Sequence, residues 1–290
     1  MILRLALIGA LLAGPVAARD LPAAFDCVRE RGGIVAAHRG GGGPGQPENV
    51  LSTARRTVAN VTPLIELDVS TTSDGVLVLF HDAELDEDSN GRGKIAETPW
   101  RTVRALRLRD PQGRLTRERP SRLSDALAAL KGRAVIQLDR KRPAQWSAIL
   151  AEVDRAGARD AVVPISYSND EALEIAQLAP WAMVSATIRE PADLDVLAAG
   201  GLPPERVLAW TGAGRPNPEL WAALRARGVE PIFGTLGRPE TRLDTQYAAD
   251  GDLSEYRDLL TGGVDIISSS TPAAAAGAIA AKDARACLAR

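Results

Sequence analysis

The sequence has little net charge, no internal repeat and few histidines or cysteines. Its formal net charge is only −2 at pH 7, so bulk charge gives no reason to expect binding to nucleic acid or to an anionic membrane. It contains no repeat with a period of about 20 to 50 residues and no low-complexity linker. Only two histidines and two cysteines occur in its 290 residues, so the position of each one is informative.

The apolar run at the N-terminus, residues 5–13, is too short for a comfortable membrane span. It follows a single arginine, and the small residues at 16–18 suit cleavage after Ala18. We therefore predict that residues 1–18 are a signal peptide, with an uncleaved anchor as the alternative. The mature chain, residues 19–290, is then exported, periplasmic or secreted, and is not stably inserted in a membrane.

Short apolar runs alternate with amphipathic stretches along the mature chain. This alternation, with strands rich in valine and isoleucine, is typical of a parallel sheet that is buried on both faces. We predict strands at residues 34–37, 64–69, 76–80, 134–138, 161–166, 182–188, 206–211, 229–235 and 264–268.

These are nine strands, one more than an eight-stranded barrel contains. The length of the connection between consecutive strands identifies the one that lies outside the barrel. Parallel neighbours need a crossover of about a dozen residues, whereas residues 70–75 are all that separate the second and third strands. This short link, centred on Ser73-Asp74-Gly75, predicts a hairpin in which the strand at 76–80 runs antiparallel to an extension of the strand at 64–69. The other strands predict an α/β fold, a single (β/α)8 TIM barrel, with an insertion at about residues 83–120.

The two cysteines, Cys27 and Cys287, lie near the two ends of the mature chain. An even number of cysteines in an exported protein permits a disulfide. Because the first and last elements of a closed barrel are neighbours, such a bond would fasten the ends of the chain together. Two unpaired thiols are the alternative, and we assign neither cysteine a catalytic role.

Two carboxylates, Glu66 and Asp68, alternate on the second predicted strand and so point to the same side, the barrel interior. Asp139 ends the next barrel strand and can approach the same point. Carboxylates held together in a low-dielectric pocket repel one another unless a cation lies between them, and an all-oxygen set suits Mg²⁺ or Ca²⁺. The alternative is a structural cluster of ion pairs with nearby cations, namely Arg39, Arg140 and Lys141.

Both histidines, His38 and His81, directly follow predicted strands, at the barrel end where active sites of this fold lie. Imidazole titrates near neutral pH, so a pair of histidines beside clustered carboxylates suits acid–base catalysis. Arg39 and Lys141 can balance the charge of a phosphate, and the guanidinium can grip it with two hydrogen bonds.

These motifs together resemble the glycerophosphodiester phosphodiesterase family, whose fold is a TIM barrel of the phosphatidylinositol-phosphodiesterase type. The specific matches, in the family's order, are His38-Arg39-Gly40, Pro47-Glu48-Asn49, Glu66-Leu67-Asp68, Asp74-Gly75 and His81-Asp82. Weaker matches follow at Asn90-Gly91-Arg92-Gly93, Leu138-Asp139-Arg140-Lys141 and Gly263-Val264-Asp265-Ile266-Ile267.

The resemblance implies hydrolysis of a small glycerophosphodiester to an alcohol and glycerol 3-phosphate, with one divalent cation, Mg²⁺ or Ca²⁺. It also implies roles for individual residues. The metal ligands are Glu66, Asp68 and Asp139. The catalytic acid and base are His38 and His81, and the substrate-binding residues are Arg39, Glu48 and Lys141.

Three segments depart from the family's pattern, one of them Phe233-Gly234-Thr235-Leu236, where the family has Trp-Thr or Asn-Thr-Leu. Ser268-Ser269-Ser270 stands where the family often has Thr-Asp, and Glu87-Asp88-Ser89 replaces a common Arg-Thr-Thr, which removes a positive charge. The alternatives are therefore a phosphodiesterase acting on lysophospholipids or other diesters, and a barrel that binds a phosphorylated ligand without turnover. The sequence leaves open the alcohol, the preferred metal, which histidine is the acid, and the oligomeric state.

Overall fold

The computed structural model describes residues 18–280 and 282–288. The predicted signal peptide, residues 1–18, lies outside the described residues except for Ala18. The strands are β1 (Ile34–Ala37), β2 (Leu64–Thr71), β3 (Leu77–Leu79), β4 (Val135–Arg140), β5 (Val162–Ser166), β6 (Val184–Thr187), β7 (Val207–Ala213), β8 (Glu230–Gly234) and β9 (Ile266–Ser269).

All of these strands except β3 run parallel, in the order β1, β2, β4, β5, β6, β7, β8 and β9. Strand β1 pairs with both β9 and β2, so the sheet closes on itself. The predicted (β/α)8 TIM barrel is therefore confirmed. Because parallel strands end at the same edge, the closed sheet gathers the residues that follow its strands around one mouth.

Helices connect the strands and cover the outside of the barrel. Among the described residues, no helix is both long enough and apolar enough to cross a membrane. The helices are α1 (Leu21–Glu30), α2 (Leu51–Asn60), α3 (Leu85–Asp88), α4 (Trp100–Val103), α5 (Leu123–Leu130), α6 (Trp146–Ala156), α7 (Asn169–Leu178), α8 (Ala192–Ala199), α9 (Pro218–Arg225), α10 (Leu243–Tyr247), α11 (Glu255–Thr261), α12 (Pro272–Ile279) and α13 (Lys282–Leu288).

The alternation of side chains along each strand divides the buried residues into two sets. Outward residues such as Leu67 and Ile136 pack against the covering helices. Inward residues at the amino ends of the strands, such as Leu64 and Val135, form an apolar floor inside the barrel. The inward positions nearer the carboxyl ends include polar residues such as Glu66, together with apolar ones on β5 and β8. An apolar floor thus lies beneath a mouth that contains buried polar groups.

Helix α1 closes the amino end of the barrel, and it was not among the elements predicted from the sequence. It begins after Asp20, whose carboxylate accepts a hydrogen bond from the backbone N–H of Ala23. Phe25 and Val28 from its buried face join the apolar floor. Arg29 from the same helix forms an ion pair with Glu230 of β8. The helix therefore seals the end of the barrel opposite the mouth.

The predicted hairpin is confirmed, because β3 runs antiparallel to an extension of β2. Val69 pairs with Leu79 and Thr71 with Leu77. The backbone N–H of Phe80 then donates to the carbonyl of Asp68 at 3.1 Å. The chain is thereby returned to the height of Asp68 just before it reaches His81.

The segment after the hairpin, residues 83–120, contains α3, α4 and the short 3-10 turn Ile95–Glu97. Its buried residues Leu85, Ile95 and Val103 pack with Phe80 of the hairpin in a small apolar cluster of their own. This segment therefore holds the hairpin, and with it His81, from the outer side.

The ends of the described chain are joined by a disulfide. Cys27 of α1 and Cys287 of α13 are bonded, although they are 260 residues apart in sequence. The guanidinium of Arg19 donates to the carbonyl of Leu288 at 2.7 Å and so joins the same two ends. Of the two alternatives that the sequence left open, the structure has the bonded pair.

We expect reduction of this disulfide to lower the stability of the protein by about 2–5 kcal/mol, because the bond restricts a very long loop in the unfolded chain. Thermal melts with and without dithiothreitol measure the effect. The matched control is the double variant Cys27→Ser/Cys287→Ser, which should melt as the reduced wild type does and be insensitive to dithiothreitol. A wild-type melting temperature that reduction leaves unchanged would contradict the expectation.

Candidate active site

Three carboxylates meet inside the mouth of the barrel. Glu66 and Asp68 are two residues apart on β2, and Asp139 of β4 is the register partner of Asp68. All three side chains are buried. One oxygen atom from each lies within 4.8 Å of the chosen oxygen of the others. The alternation along β2 and the parallel register with β4 thus produce the cluster that the sequence predicted.

Nearby cations form ion pairs with two of the three carboxylates, Asp68 and Asp139. The ammonium of Lys141 lies 2.7 Å from Asp139 Oδ2 and 2.9 Å from Asp68 Oδ1. Arg39 Nε lies 3.6 Å from Asp68 Oδ2. Arg140 belongs elsewhere, because it pairs with Glu171 at 2.6 Å. The structural cluster of ion pairs considered above therefore includes Arg39 and Lys141 but not Arg140.

Two carboxylate oxygens of the cluster have no hydrogen-bond donor in the described part of the chain. Among the described residues, Glu66 Oε1 and Asp139 Oδ1 are buried without a hydrogen-bond partner. Burial and the charges of Asp68 and Asp139 raise the pKa of Glu66 well above its usual range. Three converging carboxylates, two of which have a buried oxygen without a partner, fit a divalent cation with a preference for oxygen ligands.

The turn after β1 brings Arg39 to this cluster. Arg39 has a positive φ of 50°, a conformation that a non-glycine residue seldom adopts. In it, the backbone N–H of Arg39 donates to Glu66 Oε2 at 2.8 Å. Its guanidinium donates to Glu48 Oε2 at 3.0 Å, so Glu48 contacts Arg39 directly.

Asn49 is also part of this cluster, although no role for it was predicted from the sequence. Its side-chain amide donates to Asp68 Oδ2 at 2.7 Å, and its side-chain oxygen accepts from the backbone N–H of Asp68 at 2.9 Å. The N–H of Asn49 itself donates to the carbonyl of Arg39. The Pro-Glu-Asn motif was the available signal, because it placed an amide next to a residue already assigned to the site.

His38 directly follows β1, and its side chain contacts a residue just after β9, the strand that pairs with β1 to close the barrel. Its Nδ1 is 3.0 Å from the hydroxyl oxygen of Ser270, just after β9. The backbone N–H of Ser270 donates in turn to Asp244 at 2.7 Å. Burial, followed by the positive charge of Arg39, lowers the pKa of His38 to about 4. The imidazole is therefore neutral at pH 7.

His81 has an acidic partner instead. Its Nδ1 lies 2.6 Å from Asp82 Oδ1, an ion pair when the ring is protonated. The carboxyl group of Asp88 in α3 is a neighbour of Asp82. Burial and the neighbouring charge of Asp82 raise the pKa of Asp88 to about 7. The two histidines thus have opposite surroundings, since His38 faces a hydroxyl and cations whereas His81 faces carboxyl groups.

All the predicted site residues except Glu48 line one cavity of about 830 Å³ at the mouth. Tyr167, Trp210 and Leu236 line it as well, and the sequence reasoning did not identify them. For Tyr167 and Leu236 the available signal was a position just beyond the end of β5 or β8, because residues at strand ends of this fold face the site. Trp210 instead lies within β7. The cavity therefore has a charged side near β2 and a partly apolar side near β7 and β8.

Comparison with known proteins gives a consistent result. The model of the Glycerophosphoryl diester phosphodiesterase family matches residues 38–203. Glycerophosphodiester phosphodiesterase 1 of Rattus norvegicus is 41% identical over 70 residues, which are 24% of this chain and 21% of that protein. Glycerophosphodiester phosphodiesterase of Caldanaerobacter subterraneus is 36% identical over 73 residues, 25% of this chain and 30% of that one. The matched region thus spans less than a third of these relatives' own length.

A solved structure covers much more of the chain. The glycerophosphoryl diester phosphodiesterase of Parabacteroides distasonis superimposes with a TM-score of 0.75 at 29% identity, over 86% of each chain. The similarity therefore extends through the barrel and beyond the sequence motifs at its mouth.

Asp88→Asn should stabilise the protein at pH 8 and leave its stability nearly unchanged at pH 4. The pKa of Asp88 is higher in the folded protein than in the unfolded chain, so the folded state binds more protons between about pH 4 and 7. Stability is consequently lost as the pH rises through that interval. Asparagine removes this loss, and we expect a gain of about 2 kcal/mol at pH 8, measured by denaturant unfolding.

Glu87→Gln is the matched control, because Glu87 is the exposed neighbour of Asp88 on the same helix. It should change stability little at either pH. An equal gain for Asp88→Asn at pH 4 and pH 8 would show that the ionisation of Asp88 is not its origin.

Proposed function

This chain belongs to the glycerophosphoryl diester phosphodiesterase family, and we propose that it hydrolyses glycerophosphodiesters to an alcohol and glycerol 3-phosphate. The observation that carries the proposal is the arrangement at the barrel mouth. Three buried carboxylates, two of them with an unpartnered oxygen, lie in the same cavity as both histidines and the cations Arg39 and Lys141. An anionic phosphodiester and a divalent cation together complement that set of charges.

The cation belongs at Glu66, Asp68 and Asp139, and we propose Mg²⁺ or Ca²⁺ because the donors are all carboxylate oxygens. When bound, it supplies positive charge that stabilises the phosphoryl oxygens and lowers the pKa of a glycerol hydroxyl. Lys141 connects Asp68 and Asp139, so it fixes the separation of two of the ligands.

Arg39 and Lys141 are proposed to bind the phosphate. Both line the cavity and both lie beside the carboxylate cluster. Glu48 accepts a hydrogen bond from the guanidinium of Arg39 and so sets its orientation rather than contacting the substrate. The same cations also partly balance the buried carboxylates, so they place positive charge for an anion directly beside the carboxylate cluster.

We assign the base to His38. Its pKa is lowered to about 4, so the ring is neutral at pH 7 and able to accept a proton. With Nδ1 turned to Ser270, Nε2 is the nitrogen available to the substrate. In this step the glycerol hydroxyl attacks phosphorus and its proton passes to His38. The bond from phosphorus to the alcohol oxygen breaks, and a cyclic glycerophosphate forms.

We assign the acid to His81. The Asp82 carboxylate accepts from Nδ1 and orients the ring, which leaves the Nε2 proton for the departing alkoxide. Water then opens the cyclic phosphate with the two histidines in exchanged roles. One water is consumed, and the products are the alcohol and glycerol 3-phosphate.

His38→Ala and His81→Ala should each lower kcat by about 10²- to 10⁴-fold, because each removes a proton-transfer group from the transition state. The measurement is release of glycerol 3-phosphate from glycerophosphocholine with Mg²⁺ or Ca²⁺, after removal of metal with EDTA. Arg92→Ala, an exposed change in the segment after the hairpin, is the control and should retain activity. Wild-type rates in either histidine variant would refute the assignment.

The same assay separates the two alternatives raised by the sequence. Preference for lysophospholipids in a panel of diesters would replace the proposed substrate but keep the reaction. Tight binding of phosphodiesters without product, over a series of metal ions, would favour a binding protein instead.

We propose that the protein is exported and that its mature form begins at Arg19. The disulfide between Cys27 and Cys287 supports this, because such bonds persist in oxidising compartments. Mass spectrometry of the protein from a secretion-competent bacterial host should find an N-terminus at Arg19 in the periplasm or medium. An intact N-terminus on protein confined to the cytoplasm would contradict it.

A further inference from the structure

We propose that Tyr167 is a positioning residue, whose hydroxyl orients the metal ligand Asp139 and whose ring forms one wall of the subsite for the alcohol. The inference rests on the proposed function for the identity of the substrate. Its first half concerns the metal site alone and can be tested without turnover.

The fold places Tyr167 beside Asp139. It directly follows β5, the parallel neighbour of β4, which carries Asp139. Side chains alternate along β5, so Ile165 and Tyr167 both face the cavity. Tyr167 is therefore one strand away from the carboxylate cluster, at the same end of the barrel.

The hydroxyl of Tyr167 donates to Asp139 Oδ2 at 2.7 Å. The ammonium of Lys141 donates to the same oxygen, also at 2.7 Å. Asp139 Oδ1 is buried and, among the described residues, has no hydrogen-bond partner. Two donors thus hold one oxygen of the carboxylate and leave the other for a cation, which is the usual role of a partner that orients a metal ligand.

The backbone of Tyr167 is fixed as well. Its N–H donates to Glu171 Oε2 at 3.1 Å. The other oxygen of Glu171 accepts from Arg140 at 2.6 Å and from the indole N–H of Trp146 at 2.9 Å. Trp146 is fully buried at the start of α6. The hydroxyl is consequently positioned from a rigid support, which a positioning residue requires.

The ring itself is not needed for the core. Tyr167 is 54% exposed, although its hydroxyl reaches a buried carboxylate. It lines the cavity, where Trp210 and Leu236 lie as well. An aromatic surface anchored at its polar end suits an alkyl or ammonium group, such as the choline of glycerophosphocholine.

Titration of the metal-stripped protein with Ca²⁺ alone, by isothermal calorimetry, tests the first half. Tyr167→Phe should weaken Ca²⁺ binding about 10-fold, because Asp139 loses one of its two orienting donors. Tyr247→Phe is the matched control, since Tyr247 lies outside the cavity, and it should bind Ca²⁺ as the wild type does. Binding by Tyr167→Phe within 2-fold of wild type would overturn the role of the hydroxyl, as would a wild type that binds neither Ca²⁺ nor Mg²⁺.

Tyr167→Leu tests the second half. At saturating Ca²⁺ it should raise the KM for glycerophosphocholine several-fold, whereas Tyr167→Phe, which keeps the ring, should leave this KM close to that of the wild type. An unchanged KM in Tyr167→Leu would overturn the role of the ring. If the wild type turns over no diester but Tyr167→Phe still weakens Ca²⁺ binding, the proposed function fails and the role of the hydroxyl stands.

Discussion

Repulsion among three buried carboxylates is the constraint on which the mouth of this barrel depends. Left alone in a low-dielectric pocket, Glu66, Asp68 and Asp139 would not remain ionised together. Neighbouring groups reduce the repulsion. They are the ammonium of Lys141, the guanidinium and backbone N–H of Arg39, and the side-chain amide of Asn49. Two oxygens nevertheless remain without partners, so the protein alone does not complete the compensation.

The positions of the histidines follow from how the chain reaches that cluster. His38 enters directly from β1, and its neighbour Arg39 adopts a strained conformation that points a backbone N–H at Glu66. His81 follows the β2–β3 hairpin, which extends away from the barrel mouth and returns the chain to it. The two rings therefore come from different elements and have different partners, a hydroxyl in one case and a carboxylate in the other. This asymmetry is the basis on which we propose His38 as the base and His81 as the acid.

The sequence was sufficient to predict the barrel, the hairpin and the approach of Glu66 to Asp139, because strand alternation and connection length are local properties. It did not reveal the helix that plugs the barrel floor, nor the partners Ser270, Tyr167 and Asp88. Each of those contacts joins residues from separate elements, and its existence depends on strand register and loop path. Ser270, for example, lies 232 positions from His38 in the chain, yet the closure of β9 on β1 makes them neighbours.

The disulfide between α1 and α13 makes the chain topologically a ring. All the barrel strands lie between Cys27 and Cys287, so the covalent loop encloses the whole sheet and every residue of the site. A protease that cuts once in the exposed stretch around Arg92 would therefore produce two fragments that remain attached to each other. Under oxidising conditions, the two fragments of a cleaved molecule therefore stay at high effective concentration. The disulfide also restrains α1 and α13, the terminal helices, where a linear chain would be most prone to local unfolding.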